Sequence, residues 1–209
     1  MTQQSAARRR AVTIAGHTGD ADTALRALSD PDSSVRAAGL GALERLTQLA
    51  DGDLADALED PDVVVRRRAV EIAAKHRDID LLSALNDPDP RVVEIAAWSC
   101  GEHESNRDEI VERLLGLAAD SDEPLVRESA VAALGAIGDE RAVDAIIAAC
   151  ADKPAVRRRA VLALAPFIDD DPDNDVGQRV DATIERALED RDWQVRQAAE
   201  DLRRITAAK

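Results

Sequence analysis

The sequence predicts an all-α fold, a right-handed α-solenoid of about six helix pairs preceded by an N-terminal half-repeat, forming one domain over residues 1–209. Three observations predict it. First, one pattern recurs along the chain: Leu-x-Asp-Pro-x-x-x-Val-Arg-x-x-Ala, followed by an apolar pair three or four residues on. Second, the only aromatic residues are Trp98, Phe167 and Trp193, so the core must be built from Ala, Leu, Val and Ile, which suits helices packed closely through small side chains. Third, no segment sustains the alternation of a strand.

The repeats run in order as LSDPDSSVRAAGLGAL (28–43), LEDPDVVVRRRAVEIA (58–73) and LNDPDPRVVEIAAWSC (85–100). Looser copies follow as ADSDEPLVRESAVAAL (119–134), ACADKPAVRRRAVLAL (149–164) and LEDRDWQVRQAAEDL (188–202). Their valines, Val35, Val65, Val92, Val126, Val156 and Val195, are 30, 27, 34, 30 and 39 residues apart, the length of a helix-pair unit. Before them ARRRAVTIAGH (7–17) matches VRRRAVEIAAKH (65–76), the second half of a repeat standing alone.

The second helix of each pair carries a wide apolar stripe at helical period, in the second repeat Val65, Ala69, Val70, Ile72 and Ala73. Its start is an acidic cap, Asp32, Asp62 and Asp192, or an acid followed by proline at Asp89–Pro90 and Glu123–Pro124. Proline suits the first helical position because its missing N–H would have no partner there. The preceding pairs Asp30–Pro31, Asp60–Pro61 and Asp87–Pro88 break the first helix and turn the chain. Gly19–Asp20, Gly52–Asp53 and Gly138–Asp139 read as a helix stop followed by the next cap. First helices are expected near 20–29, 53–59, 79–86, 108–119, 139–151 and 176–189.

This D-P-x-x-x-V-R-x-x-A unit resembles the HEAT-repeat family, specifically the short HEAT-like repeats also found in phycobilin-lyase subunits, over roughly residues 7–206. The resemblance implies a polar ladder between neighbouring units. Its acids would be Asp30, Asp60, Asp87 and Asp190, and its arginines Arg36, Arg66, Arg127, Arg157 and Arg196. Val93 stands where the third repeat should carry its arginine and Ser121 replaces an acid, so the ladder is expected to be interrupted near the middle.

The resemblance also implies a concave face lined by second helices. The residues facing outward would then be the two after each ladder arginine and the one three further on. These are Arg9, Arg10 and Thr13 in the half-repeat, Arg67, Arg68 and Glu71 in the second repeat, Glu94, Ile95 and Trp98 in the third, and Arg158, Arg159 and Leu162 in the fifth. An Ile and a Trp at such positions suggest an apolar binding anchor, since aromatic side chains dominate interface hot spots. Arg67, Arg68, Arg158 and Arg159 would form an acid-pairing rim. The plainer alternative is that Trp98 fills space beside Val93 and that the arginines are a solvated face balancing nearby acids.

Charge narrows the function. With 27 basic and 42 acidic residues the net charge is −15, which disfavours sequence-independent binding to nucleic acid or anionic membrane. No apolar run approaches the length of a membrane span, and the N-terminus lacks a signal-peptide core, so a cytoplasmic location is expected. All but three of the basic residues are arginine. An acidic, lysine-poor surface fits a protein from a salt-loving organism, although a GC-rich genome gives the same exchange. Cys100 and Cys150 are too few for a disulfide framework or a thiolate metal site and read as small core residues.

Metal chemistry finds little support: His103–Glu104 is the lone His-Glu pair, and DDDPDNDVG (169–177) departs from a calcium loop in the place of its glycine and at its twelfth position, Ala182. No phosphate loop or nucleophile elbow occurs. The expectation is therefore a non-catalytic protein-binding adaptor or scaffold within a signalling or assembly complex, with no cofactor and no metal, a protein or peptide as partner, and a monomeric state. The repeat subtype implies one alternative, a lyase or chaperone-like subunit acting on a tetrapyrrole-bearing protein.

Overall fold

The computed structural model describes residues 3–103, 107–169 and 174–206, and among these there are helices and turns but no strand. The helices are α1 (Gln3–Thr18), α2 (Ala21–Ala27), α3 (Ser33–Arg45), α4 (Asp51–Leu58), α5 (Val63–Ala73), α6 (Pro90–Glu102), α7 (Asp108–Asp120), α8 (Pro124–Ile137), α9 (Val143–Ala149), α10 (Pro154–Ala163), α11 (Asp175–Leu188) and α12 (Trp193–Thr206). Contacts divide the chain into two compact units, Met1–Ala96 and Ala97–Lys209, the division falling within α6. In unit 1 the second helices α1, α3 and α5 stack in sequence, with α2 packed on α3 and α4 on α5. In unit 2, α8, α10 and α12 stack likewise, with α7 on α8, α9 on α10 and α11 on α12. Each unit is thus a helical-repeat stack of α-solenoid class, its core made where helix pairs meet. No helix among the described residues is long and apolar enough to cross a membrane.

The Asp-Pro-Asp turn shows why this pattern recurs. The first Asp folds back on its own turn: Asp30, Asp60, Asp87 and Asp190 accept from the backbone N–H of Asp32, Asp62, Asp89 and Asp192 at 2.8–2.9 Å. The second Asp then caps the helix, as Asp32 accepts from Ser34 N–H, Asp62 from Val64 N–H, Asp89 from Arg91 N–H and Asp192 from Gln194 N–H. Glu123 caps α8 by position only, without a side-chain bond to the helix.

The first Asp also forms the ladder. Arg36 donates from Nε and Nη2 to the Asp60 carboxylate at 2.8 and 2.7 Å, while its Nη1 donates to the Asp30 carbonyl. Arg66 repeats this with Asp87 and the Asp60 carbonyl, and Arg157 with Asp190 and the Asp152 carbonyl. Two members were not identified from the sequence. Arg8 of the half-repeat pairs with Asp30, and Arg127 pairs with Asp152, which lies one residue closer to its valine than the other ladder acids. At the expected interruption Val93 is a buried apolar side chain. Ser121 keeps the turn through its hydroxyl, which accepts from Glu123 N–H, and its carbonyl accepts from Arg127.

Two expected details differ. The segment 79–86 forms no α-helix; only a 3-10 turn at Ala84–Asn86 remains, in a repeat whose valine spacing of 27 is the shortest of the five. Gly52 lies inside α4 and stops nothing; α3 instead ends before Thr47, which takes the left-handed conformation at φ 56°. Gly19 and Gly138 do occupy that conformation, at φ 87° and 72°, as helix stops.

Glycine has a second role in the stack. A Cβ built on Gly135 would lie 2.6 Å from Ala163 Cβ and 2.7 Å from its Cα, so α8 and α10 touch backbone to backbone. Gly101 meets Ala133 and Gly16 meets Ala42 in the same manner. Counting from the repeat valine as position 0, each contact joins position 9 of one second helix to position 7 of the next.

Candidate functional site

Position 0 and the ladder arginine face the repeat seam, which leaves positions 2, 3 and 6 of each second helix away from it. On α5 these are Arg67, Arg68 and Glu71. Glu71 lies 3.0 Å from Arg68 Nη1 and 3.7 Å from Arg67 Nε, so one carboxylate serves two guanidiniums and a single positive charge remains. Arg68 also lies across Gly41 of α3, with Nη2 2.9 Å from where a Cβ would stand. Its orientation therefore depends on glycine at position 6 of the preceding second helix.

On α6 these positions are Glu94, Ile95 and Trp98. Trp98 keeps 47% of its surface exposed, while Glu94 and Ile95 are half-buried. Trp98 thus stands about half in solvent on the same helix as the buried Val93. On α10 Arg158, Arg159 and Leu162 are all half-buried. Arg159 Nε lies 3.7 Å from Glu128 Oε1, beyond hydrogen-bond reach, and is a buried nitrogen without an acceptor among the described residues. Arg158 has no carboxylate partner among the described residues.

The sequence singled out these side chains, and Arg9, Arg10 and Thr13 of the half-repeat, but passed over the exposed apolar residues Ile14, Val64, Leu125, Trp193 and Ile205. In unit 1, Ala6, Arg9, Arg10, Thr13 and Ile14 of α1, with Ala37 and Ala38 of α3 and Val64 of α5, border a shallow groove of about 600 Å³. Ile14 and Val64 are large apolar side chains left exposed there. In unit 2 Leu125, Trp193 and Ile205 are more exposed than Trp98. Leu125 and Val64 share one register, immediately before the repeat valine at the start of the helix, a signal the alignment contained.

Smaller notches lie beside two ladder pairs. The notch of about 210 Å³ in unit 1 brings Asp53 and Asp56 beside Arg36 and Asp60. Its counterpart of about 220 Å³ in unit 2 has Thr183 and Arg186 at the equivalent positions, with Cys150 and Asp190. Burial pushes the Cys150 thiol up to about 12, so this cysteine is a poor nucleophile, and Cys100 is buried. Among the described residues no three His, Cys, Asp or Glu side chains are grouped to hold a metal ion. Asp171, Asp173 and Glu104 lie outside the described residues; Asn174 caps α11 through Val176 and Gly177 N–H.

The ladder itself is electrostatically set. The Arg157 guanidinium holds the Asp190 carboxyl below the usual carboxylate range, as Arg127 does for Asp152 and Arg8 for Asp30. For Asp60, desolvation works in the opposite direction, and the bonds from Arg36 and from Asp62 N–H outweigh it.

These features define a helical-repeat protein with α-solenoid stacking and exposed or half-buried side chains at positions 2, 3 and 6 of the second helices α1, α3, α5, α6, α8 and α10. Residues 79–165 match the family model described as HEAT repeats. Among solved structures, the chain is similar to a designed armadillo repeat protein in complex with the peptide (KR)4, at 18% identity and a TM-score of 0.64, covering 86% of this chain and 96% of that one. A second designed armadillo repeat protein matches at 16% identity and a TM-score of 0.61, with the same coverage. At such identities the likeness is one of fold. No curated protein matches the chain.

Proposed function

We propose that the chain is a non-catalytic protein-binding adaptor, with Trp98 and Ile95 of α6 as apolar anchor, Glu94 beside them, and Arg67, Arg68, Arg158, Arg159 and Leu162 as further contact residues. The observation that carries this reading is Trp98 itself, a large ring held about half in solvent on a helix whose neighbouring positions Ala96, Ala97, Ser99 and Cys100 are buried. Such a side chain gives the fold little and gives a partner a rigid apolar anchor. Repeat stacks present extended surfaces suited to this, and one designed neighbour of the same fold is described with a bound peptide. Where that peptide is (KR)4, the arginines here suit a partner segment carrying carboxylates.

The test is capture of partners from the native cell by the wild-type chain and by Trp98→Ala. Loss of a specific partner, with the helical circular dichroism signal unchanged, supports the reading. An unchanged partner set removes Trp98 as the anchor.

A further inference from the structure

At two seams of the stack the residue at position 3 leans back over the preceding second helix. Arg68 of α5 does so over Gly41, position 6 of α3, with Nη2 2.9 Å from where a Cβ would stand. Arg159 of α10 does so over α8, where its Nε comes within 3.7 Å of Glu128, position 2 of that helix. In both seams a long guanidinium side chain crosses between the helices and has a carboxylate near it, Glu71 for Arg68 and Glu128 for Arg159.

The α1–α3 seam keeps the register and changes the residues. Arg8 aligns with Arg66 as position 1, so position 2 of α1 is Arg9, where α8 has Glu128. Position 3 of α3 is Ala38, where α5 and α10 have arginine. A methyl group does not reach across, and the groove of about 600 Å³ bordered by Arg9, Arg10, Ala37, Ala38 and Val64 stays open. Arg9 and Arg10 are exposed and have no carboxylate partner among the described residues. None of the described residues that border the groove is acidic, although the chain carries a net charge of −15.

Charge complementarity selects the occupant. The side chain missing opposite Arg9 is a carboxylate, the group that the other two seams set beside their arginines. A nucleic acid would meet the repulsion of the whole acidic chain, whereas a short acidic segment meets little of it. The volume suits a few residues of extended chain and not a helix about 10 Å across. Extended chain alternates its side chains, so apolar ones can rest on Ala37, Ala38 and Val64 while carboxylates turn to Arg9 and Arg10.

We propose that the groove over the α1–α3 seam binds a short, extended acidic segment of a partner protein, with its carboxylates on Arg9 and Arg10 and its apolar side chains on Ala37, Ala38 and Val64. The site lies in unit 1 and does not use Trp98, so it and that anchor can each fail alone.

The probe is a fluorescein-labelled synthetic peptide EVEVEVEV, whose binding to the full chain is followed by fluorescence anisotropy. The expected result is saturable binding that weakens with added NaCl and falls at least about tenfold with the double change Arg9→Glu and Arg10→Glu. Ala38→Glu, which supplies the carboxylate from within the chain, should lower binding to a similar extent. Both arginines are exposed, and position 3 accommodates a long side chain in α5 and α10, so these variants keep the fold, as circular dichroism would verify. Arg191→Glu with Arg204→Glu makes the same charge change at exposed residues of unit 2 and should leave binding within about twofold of wild type. The proposal is overturned if wild type fails to bind at millimolar peptide, if the unit 2 pair weakens binding as much as the α1 pair, or if Ala38→Glu binds like wild type. Displacement of the peptide by an equal concentration of inorganic phosphate would overturn it in favour of a small-anion site. A dimer in sedimentation that the α1 pair converts to monomer would overturn it too, by giving the groove to a second copy.

Discussion

The two units obey one repeat rule and end differently. Unit 1 has 12 basic and 17 acidic residues, a net charge of −5, and begins on a basic helix with an uncovered apolar stripe. Unit 2 has 15 and 25, a net charge of −10, and finishes on a helix whose outer positions have become Glu200 and Arg203. Their ladders differ in the same sense. Arg8, the first rung of unit 1, keeps 38% of its side chain exposed, whereas Arg157 of unit 2 keeps 5%. The repeat motif therefore fixes how helices stack within each unit, while α1 and α12 differ in what their outer positions carry.

The strongest way to break this comparison is at the glycine seams. Gly135→Val places a branched side chain against the Ala163 backbone and should cost about 3 kcal/mol, in the range of overpacked cores. Gly16→Val in unit 1 meets Ala42 Cα at 2.8 Å, but Ala7, Ala11 and Ile14 on the opposite side of α1 are exposed, so the helix can shift outward and a smaller loss is expected. Urea denaturation of the two variants would check the order. Equal losses would show that the open edge gives α1 no freedom.

The ladder comes next. Arg157→Ala leaves the Asp190 carboxylate half-enclosed and unpaired and should cost about 2–3 kcal/mol, short of the figure for a wholly buried pair because 16% of the Asp190 side chain stays exposed. Arg8→Ala removes a more exposed rung and should cost clearly less. A thermal melt showing the reverse order would refute the view that burial, and not the pairing geometry the two share, sets the worth of a rung.

The sequence made the repeat legible because each motif residue has a local task. The turn Asp, the cap Asp, the stripe and the ladder arginine all sit at fixed spacing, and the stack follows from them. Two things were harder to read. The short third repeat has Leu81, Ala84 and Leu85 in a helix-like pattern and all three are buried, yet only a 3-10 turn forms. Asp152 joined the ladder from one residue off the motif, an offset that geometry tolerates and a motif does not, while Arg8 joined it from the position that the match of 7–17 to 65–76 already aligned with Arg66. At the candidate site, the choice of positions 2, 3 and 6 identified surface residues, but the sharing of Glu71 by Arg67 and Arg68 and the poor pairing of Arg159 depend on side-chain conformations that spacing does not encode.

Acid should probe both ladders together. Asp30, Asp60, Asp152 and Asp190 all titrate below their ordinary value in the folded chain. Protonation therefore favours the unfolded chain: the stability they contribute is fully present above about pH 4 and is lost as the pH falls below it. Far-UV circular dichroism between pH 5 and 2 should show helix loss in that window, and Asp190→Asn should flatten the pH dependence of the remaining stability. If the variant keeps the wild-type slope, the ladder carboxylates are not what acid disrupts.

The smallest effects belong where neither packing nor pairing acts. Gly52 in α4 and Gly116 in α7 have nothing within 4 Å of a built Cβ, and neither takes a positive φ. Replacing either with alanine should stabilise by about 0.5–1 kcal/mol, by restricting the unfolded chain and favouring the helix. One of these glycines lies in each unit, so the gain should be similar in both. A gain in one unit alone, measured by the same urea titration, would show that the units differ in helix stability generally and not only at their seams and edges.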